Sequence, residues 1–281
     1  MNRRWEPWLL VGPGLALYAV FGFLPILWAG VGSVYETGFY GRGWLGFQAF
    51  VDVFSNARFW TSLWVTVKFT AVLLPIGMFL TVAISVILSW AGSKLQSLAR
   101  LAFFVPTVTS AMMISLAWRW IVLPGGPLSR LIGGDILWIA SNPYAFWTIC
   151  VMVVSISIGG SLLYMMAAFL SVDQEIYEAA RLDGCNRIQE AWYVTVPAVM
   201  PVIVFLGVGR LSGLLQICQF PYSMTGGGPN YSTTTIMLLI YQEGIGAGRL
   251  PQASVMSLFL MVMVVGLVLL YRLISKRKIL L

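Results

Sequence analysis

Half of the carboxylates in this chain fall in one short stretch, and few other side chains could do chemistry. Between Ser171 and Pro201 the sequence reads SVDQEIYEAARLDGCNRIQEAWYVTVPAVMP. Asp173, Glu175, Glu178, Asp183 and Glu190 lie there, five of the ten acidic residues of the chain. Acid–base catalysis needs a positioned base, yet there is no histidine, and no Asp or Glu lies inside the apolar runs that flank this island. The three cysteines, Cys150, Cys185 and Cys218, have no histidine with which to build a Cys/His metal site. No GxxxxGK followed by Ser or Thr occurs, so no P-loop binds nucleotide. The glycine run Gly226-Gly227-Gly228-Pro229 reads as a turn. No cofactor and no metal is expected. A charged, helix-forming island between apolar runs is a docking surface rather than a reaction centre.

The elements that must hold this island are membrane helices. The chain has 281 residues, 59% hydrophobic and 10% charged, against about 25% charged in soluble domains. Its net charge of +7 shows no basic stripe that would suit nucleic acid. A bilayer core about 30 Å thick takes roughly 20 apolar residues of helix. Six stretches qualify, at about 8–34, 62–90, 101–123, 144–170, 197–219 and 251–274. The fold class expected is an all-α membrane protein, one membrane domain over residues 1–281. Pro25, Pro75 and Pro106 interrupt spans, which membrane helices tolerate. Trp5, Trp8, Trp60, Trp64, Trp118, Trp120 and Tyr271 fall near span ends, as an interfacial belt would. Arg3 and Arg4 precede the first run as in a secretory signal, but without a small-x-small site it reads as an uncleaved span.

Lysine and arginine set the orientation. With the N-terminus in the cytoplasm, the inner side carries Arg3, Arg4, Lys94, Arg100, Arg181, Arg187, Arg272, Lys276, Arg277 and Lys278. The outer side carries Arg42, Arg58, Arg130 and Arg249. An even number of spans puts both termini, and the charged island, in the cytoplasm. The outer segments 35–61 and 220–250 are too small to be domains of their own.

Within the island, Ser171 with Gln174 fits a capping box, Gly184 a helix stop, and Asn186 with Gln189 a second capping box. This predicts two short helices, the second running to Tyr193, with Pro197 opening the fifth span. Glu175, Glu178 and Leu182 share a side of the first helix. Ala179 and Ala180 would let a partner approach closely. Ile176, Tyr177, Leu182, Ile188 and Trp192 add more apolar surface than water favours.

These residues are recognisable. Glu178-Ala179-Ala180, three residues, Gly184, nine residues, then Val194-x-Val196-Pro197 resembles the EAA loop of ATP-binding-cassette (ABC) importer permeases. Val194, Val196 and Cys185 replace the usual Ile, Leu and Ala. Trp44–Phe50 resembles the family's entry to the second span, and Phe59-Trp60 with Thr66 its F-W-x-x-x-x-N-T, with Val65 in place of Asn. Thr225–Pro229 is similar to the TGGGP stretch of the carbohydrate, maltose-permease-like branch. The resemblance implies a type I ABC importer fold in a prokaryotic plasma membrane. It implies a non-catalytic subunit forming half of a pathway for a sugar or oligosaccharide. Its partners would be a second permease, two ATPase subunits and an extracytoplasmic solute-binding protein. Glu178, Ala179, Ala180, Asp183, Gly184 and Pro197 would couple it to the ATPase, Glu178 through a salt bridge.

Polar residues inside the spans are costly and mark either a path or helix packing. Ser157, Ser161 and Tyr164 recur in the fourth span; Ser212, Gln216 and Gln219 recur in the fifth and are expected on one helix face. By resemblance these two spans carry sugar contacts; the other reading is hydrogen bonding between helices. Arg210 lies opposite the glutamine face, about 20 Å into the fifth span at 1.5 Å per residue. It would pair with an acidic residue of the partner permease or meet an anionic substrate such as a sugar phosphate or uronate. A gradient-driven secondary transporter would want acidic residues in the spans, and a purely structural subunit is a further alternative.

Overall fold

The structure, a computed structural model, describes residues 6–38, 41–132 and 136–279. Arg3, Arg4 and Trp5 lie outside these residues, as do the side chains of Trp8, Arg42, Lys276, Arg277 and Lys278. The chain packs as two compact units, one of residues 1–60 with 239–263 and one of residues 61–238 with 264–281.

In the first unit a helical path runs through Glu6–Tyr18, a π-turn Ala19–Phe23 and Leu24–Gly32. No residue from Val11 to Val31 is buried, as suits a helix whose apolar surface meets lipid or another chain. A hairpin of Tyr35–Gly38 and Gly41–Trp44 follows, with Tyr35 opposite Trp44 and the rings edge to face at 5.0 Å. The helix Gln48–Ser55 turns its buried Val53 inward. Phe259 meets Phe54 at 6.0 Å and Phe59 at 5.2 Å. Asp52 accepts from Gln48 at 3.0 Å and from Gln252 at 3.4 Å.

The second unit is built around Tyr144–Leu170, half of whose best apolar window is buried. Phe69, Leu73, Ile149, Met152 and Leu214 form one continuous cluster across its helices. This buried apolar contact, rather than amphipathic patterning, holds the helices, because lipid-facing and protein-facing residues are alike apolar.

Among the described residues, four helices are long and apolar enough to cross a membrane: Val11–Gly32, Ala57–Ser89, Tyr144–Leu170 and Leu250–Ser275. The other two expected spans are bent pairs. Ser93–Val108 and Ala111–Ile132 meet at 100°, and Arg187–Ala198 and Met200–Leu215 at 70°. Counting each pair as one span restores six. Hydropathy cannot register either bend, since the residues at the breaks are as acceptable to lipid as their neighbours. The first break follows from Thr109, which is extended, and Ser110, whose ψ of 129° is also non-helical. At the second, Pro201 has no N–H for the carbonyl of Pro197 and its ring crowds that carbonyl.

The segment expected as an outer loop at 220–250 is more structured than a loop. It holds the helices Gln219–Thr225 and Ile236–Tyr241 and a π-turn Gln242–Gly246. Thr233, Thr234, Thr235 and Ile236 are fully or almost fully buried. The glycine run is the turn expected: Gly226 and Gly227 have φ of 63° and 96°, and the Thr234 hydroxyl donates to the Gly227 carbonyl at 2.8 Å. The Thr66 hydroxyl accepts from the Ile236 N–H at 2.9 Å and donates to the Ser62 carbonyl at 2.8 Å. Thr66 thereby ties the base of this segment to the second span.

Candidate coupling loop and transport cavity

The charged island folds as two helices around a glycine turn. The first is Gln174–Leu182. Ser171 does not cap it, contrary to the expectation from its spacing to Gln174. Ser171 ends the preceding helix, and its hydroxyl donates to the Ala168 carbonyl at 2.7 Å. Val172 is drawn into the core beside Phe169, so the new helix starts two residues later with Asp173 at the N-cap position.

The turn is closed as the sequence indicates. Gly184 has φ +81°. Its N–H donates to the Arg181 carbonyl at 3.1 Å, and that of Cys185 to the Ala180 carbonyl at 3.0 Å. This pair of bonds satisfies the last carbonyls of the helix. Nothing lies within 4 Å of where a Cβ on Gly184 would sit. The backbone conformation alone demands glycine. Asn186 and Gln189 then cap the second helix reciprocally, each bond 2.9 Å.

The second helix does not stop at Tyr193. Arg187–Glu190 runs on through a π-turn Ala191–Thr195 and a further turn Val196–Ala198. Pro197 lies in that last turn. Pro201, not Pro197, stands at the start of the long helix Met200–Leu215.

Two side-chain ties brace the loop. The Arg181 guanidinium donates from Nε and Nη2 to the two oxygens of Glu190, at 3.1 and 3.2 Å. Glu190 is buried, with a side chain 10% exposed, whereas that of Arg181 is 62% exposed. The bidentate bond and charge of Glu190 hold the Arg181 guanidinium above its ordinary value. The Tyr177 hydroxyl donates to Thr195 Oγ1 at 3.3 Å. Neither tie is legible in the sequence, since the partners are nine and eighteen residues apart and share no helical spacing.

With the loop braced, its faces are distinct. Ala180 is buried in the chain's own body and Ala179 is exposed, so only one of the two small residues is open to a partner. Glu175, Glu178 and Asp183 face outward, as do Ile176, Leu182, Ile188 and Trp192. Leu182 is 89% exposed. Tyr177, counted with that apolar surface from sequence, is turned inward against the core.

The second candidate region is a cavity of about 630 Å³ within the second unit. Ser157, Ser161 and Tyr164 line it, as the spacing in the fourth span suggests, and so do Arg210 and Arg272. Arg210 Nη2 donates to Ser157 Oγ, while its Nε and Nη1 are buried with no acceptor. Gly77 leaves the room: a Cβ there would collide with the guanidinium. No aspartate or glutamate is among the described lining residues.

Ser212, Gln216 and Gln219 do not form the expected face. The helix ends at Leu215, with Gln216 as its cap residue, and Gln219 opens a new helix. Gln216 turns back onto Ser212, donating to its carbonyl at 3.1 Å and its hydroxyl at 3.3 Å. None of the three lines the cavity. Equal spacing made them look aligned, but the helical period ceases to apply once the helix breaks.

Residues 73–279 match the family described as binding-protein-dependent transport system inner membrane component. The chain belongs to that family. It is similar to the lactose transport system permease protein of Rhizobium radiobacter, 30% identical over 83% of this chain and 81% of that one. It is also 26% identical to the sulfoquinovosyl glycerol transport system permease protein of Agrobacterium fabrum, over 90% of this chain and 88% of that protein. A bacterial alginate ABC transporter, solved in complex with an alginate pentasaccharide-bound periplasmic protein, has a chain that superposes with a TM-score of 0.84. The match covers 99% of both chains at 21% identity, which establishes the type I importer fold. The family member described here is thus a permease subunit of the inner membrane, and the expected resemblance to ABC importer permeases holds.

Proposed function

We propose that this permease forms half of the translocation pathway for a sugar or oligosaccharide. A solute-binding protein delivers the solute on the outer side, and ATP hydrolysis on two partner ATPase subunits drives the cycle. Relatives that serve lactose and sulfoquinovosyl glycerol support the solute class. The alginate transporter bound to its periplasmic protein supports the mode of delivery. A second permease, different from this one, completes the pathway, and both termini of this chain lie in the cytoplasm, as its lysine and arginine distribution suggests.

The observation that carries this reading is the braced loop with its outward-facing mixed surface. A coupling element must be stiff, since a loose loop would absorb the motion it is meant to transmit. The helix Gln174–Leu182 is closed by Gly184, tied to the next helix through Arg181 and Glu190, and anchored by Val172 and Tyr177 in the core. It presents Glu178 and Ala179 to an ATPase cleft, with Ile176, Leu182, Ile188 and Trp192 as apolar contacts. Glu178 pairs there with a basic residue. Asp183, Gly184 and Pro197 shape the loop. Closure of the two ATPases then pulls on this helix and rocks the spans between inward-facing and outward-facing states.

The test is affinity purification from native membranes in mild detergent, comparing wild type with Glu178→Lys. Wild type should bring down an ATPase and a second permease, and the variant should lose the ATPase but keep the permease. Recovery of wild type without any ATPase would sink the reading.

A further inference from the structure

The cavity around Arg210 carries more information than the general reading uses. A guanidinium has five N–H donors in a flat fork and stays charged under all ordinary conditions. Placed within a membrane domain it needs acceptors, because lipid supplies none and the charge is costly there. Among the described residues Arg210 has one acceptor, Ser157 Oγ. Nε and Nη1 are shielded from solvent and bonded to nothing. The other charged group lining the cavity is also a cation, Arg272. Among the described lining residues there is no carboxylate to balance them. Gly77 keeps open the space that the guanidinium fills.

On the reading that this chain lines the pathway, we infer that the cavity is an oxyanion-recognition site centred on Arg210, and that the solute is a saccharide bearing a carboxylate, phosphate or sulfonate. A guanidinium with a single acceptor among the described residues favours a charged oxygen over a neutral sugar hydroxyl, because charge-assisted bonds to an oxyanion are the stronger ones. Ser157, already bonded to Arg210, and Ser161 and Tyr164 on the same wall supply hydroxyls suited to the neutral part of the saccharide. Two cations without a counter-charge among the described lining residues attract anions into a low-dielectric cavity. A neutral solute would bring no charge to balance the guanidinium.

The test uses the importer purified together with its ATPase and second permease. Its melting temperature is followed at constant ionic strength against glucuronate, glucose 6-phosphate, glucose 6-sulfate and glucose. At least one of the three anions should stabilise the wild type at millimolar concentration, and glucose should not. Arg210→Gln should weaken that response about tenfold or more, the loss expected when a charge-assisted bond is removed. Arg210→Lys, which keeps the charge but not the fork, should retain part of it. Phosphatidylglycerol nanodiscs form a second arm: stabilisation by this lipid with none by soluble anions would assign the site to lipid headgroups and overturn the proposal. No anion-specific response in wild type, or an equal response in Arg210→Gln, would overturn it too. So would collapse of permease pairing in both Arg210 variants, which would place the missing acceptor on the second permease. Each of these failures occurs with the ATPase still bound, whereas failure of the general function shows as its absence.

Discussion

The candidate coupling loop and the Arg210 cavity treat their arginines in opposite ways. In the loop, Arg181 is half open to water yet has both oxygens of Glu190 as partners. In the cavity, Arg210 is more enclosed and has a single hydroxyl. A mechanical element closes its polar groups internally so that its shape is kept while forces act on it. The cavity instead holds a guanidinium with two buried donors that no described group of the fold completes. The loop accordingly shows two satisfied caps and a buried acid, and the cavity shows two cations with no acid among its described lining residues.

The most damaging change should be Gly184→Val. The left-handed conformation at this residue costs an ordinary side chain about 1–2 kcal/mol, and a β-branched one more. Uptake of solute should fall to background while immunoblots of the membrane fraction show normal insertion. Gly184→Asn, which tolerates φ > 0, should keep most activity. Equal failure of both would show that the turn needs space rather than conformation.

Next in size is Gly77→Val, which sharpens the cavity side of the comparison. The added side chain must displace the Arg210 guanidinium, so the anion-dependent rise in melting temperature should drop about as far as in Arg210→Gln, by about tenfold in apparent affinity. ATPase co-purification should be unaffected. An unchanged anion response would break the link between Gly77 and Arg210.

A smaller effect is expected from Glu190→Gln, because Arg181 is largely exposed and water screens the pair. Transport per ATP hydrolysed should fall, with hydrolysis itself maintained. The double exchange Arg181→Glu with Glu190→Arg should restore part of the loss. The pair should add no pH dependence near neutrality. Glu190 raises the Arg181 pKa, so that stabilisation is complete below the unfolded guanidine value and is lost only as pH climbs through the higher folded one. Least of all should come from Gln216→Ala. Its bonds are to Ser212 in its own helix end, and stability should move by less than about 0.5 kcal/mol.

The island was the most readable region because its signals are local. Capping by Asn186 and Gln189, the stop at Gly184 and the EAA spacing each involve residues a few positions apart, whose geometry follows from backbone preference alone. The cavity was partly readable. Ser157, Ser161 and Tyr164 share a face of an unbroken helix, so their period survived folding. Gln216 and Gln219 were misplaced because the helix between them ends. The bends at Thr109–Ser110 and Val199 escaped for the related reason that hydropathy measures solvent preference and not direction.

Composition and apolar run length by themselves determined that this chain lives in a membrane as a bundle of helices, since lipid leaves backbone polar groups no other partner. Local spacing determined the two-helix form of the charged island and pointed to the family. Only the tertiary structure decided which polar groups meet: Arg181 with Glu190, Thr66 with Ile236, and Arg210 with Ser157 in the space left by Gly77. These contacts join residues far apart in the chain or across a turn. Their existence depends on how apolar helices pack, and apolar surfaces that are alike toward lipid and toward each other carry no record of that choice in their order of residues.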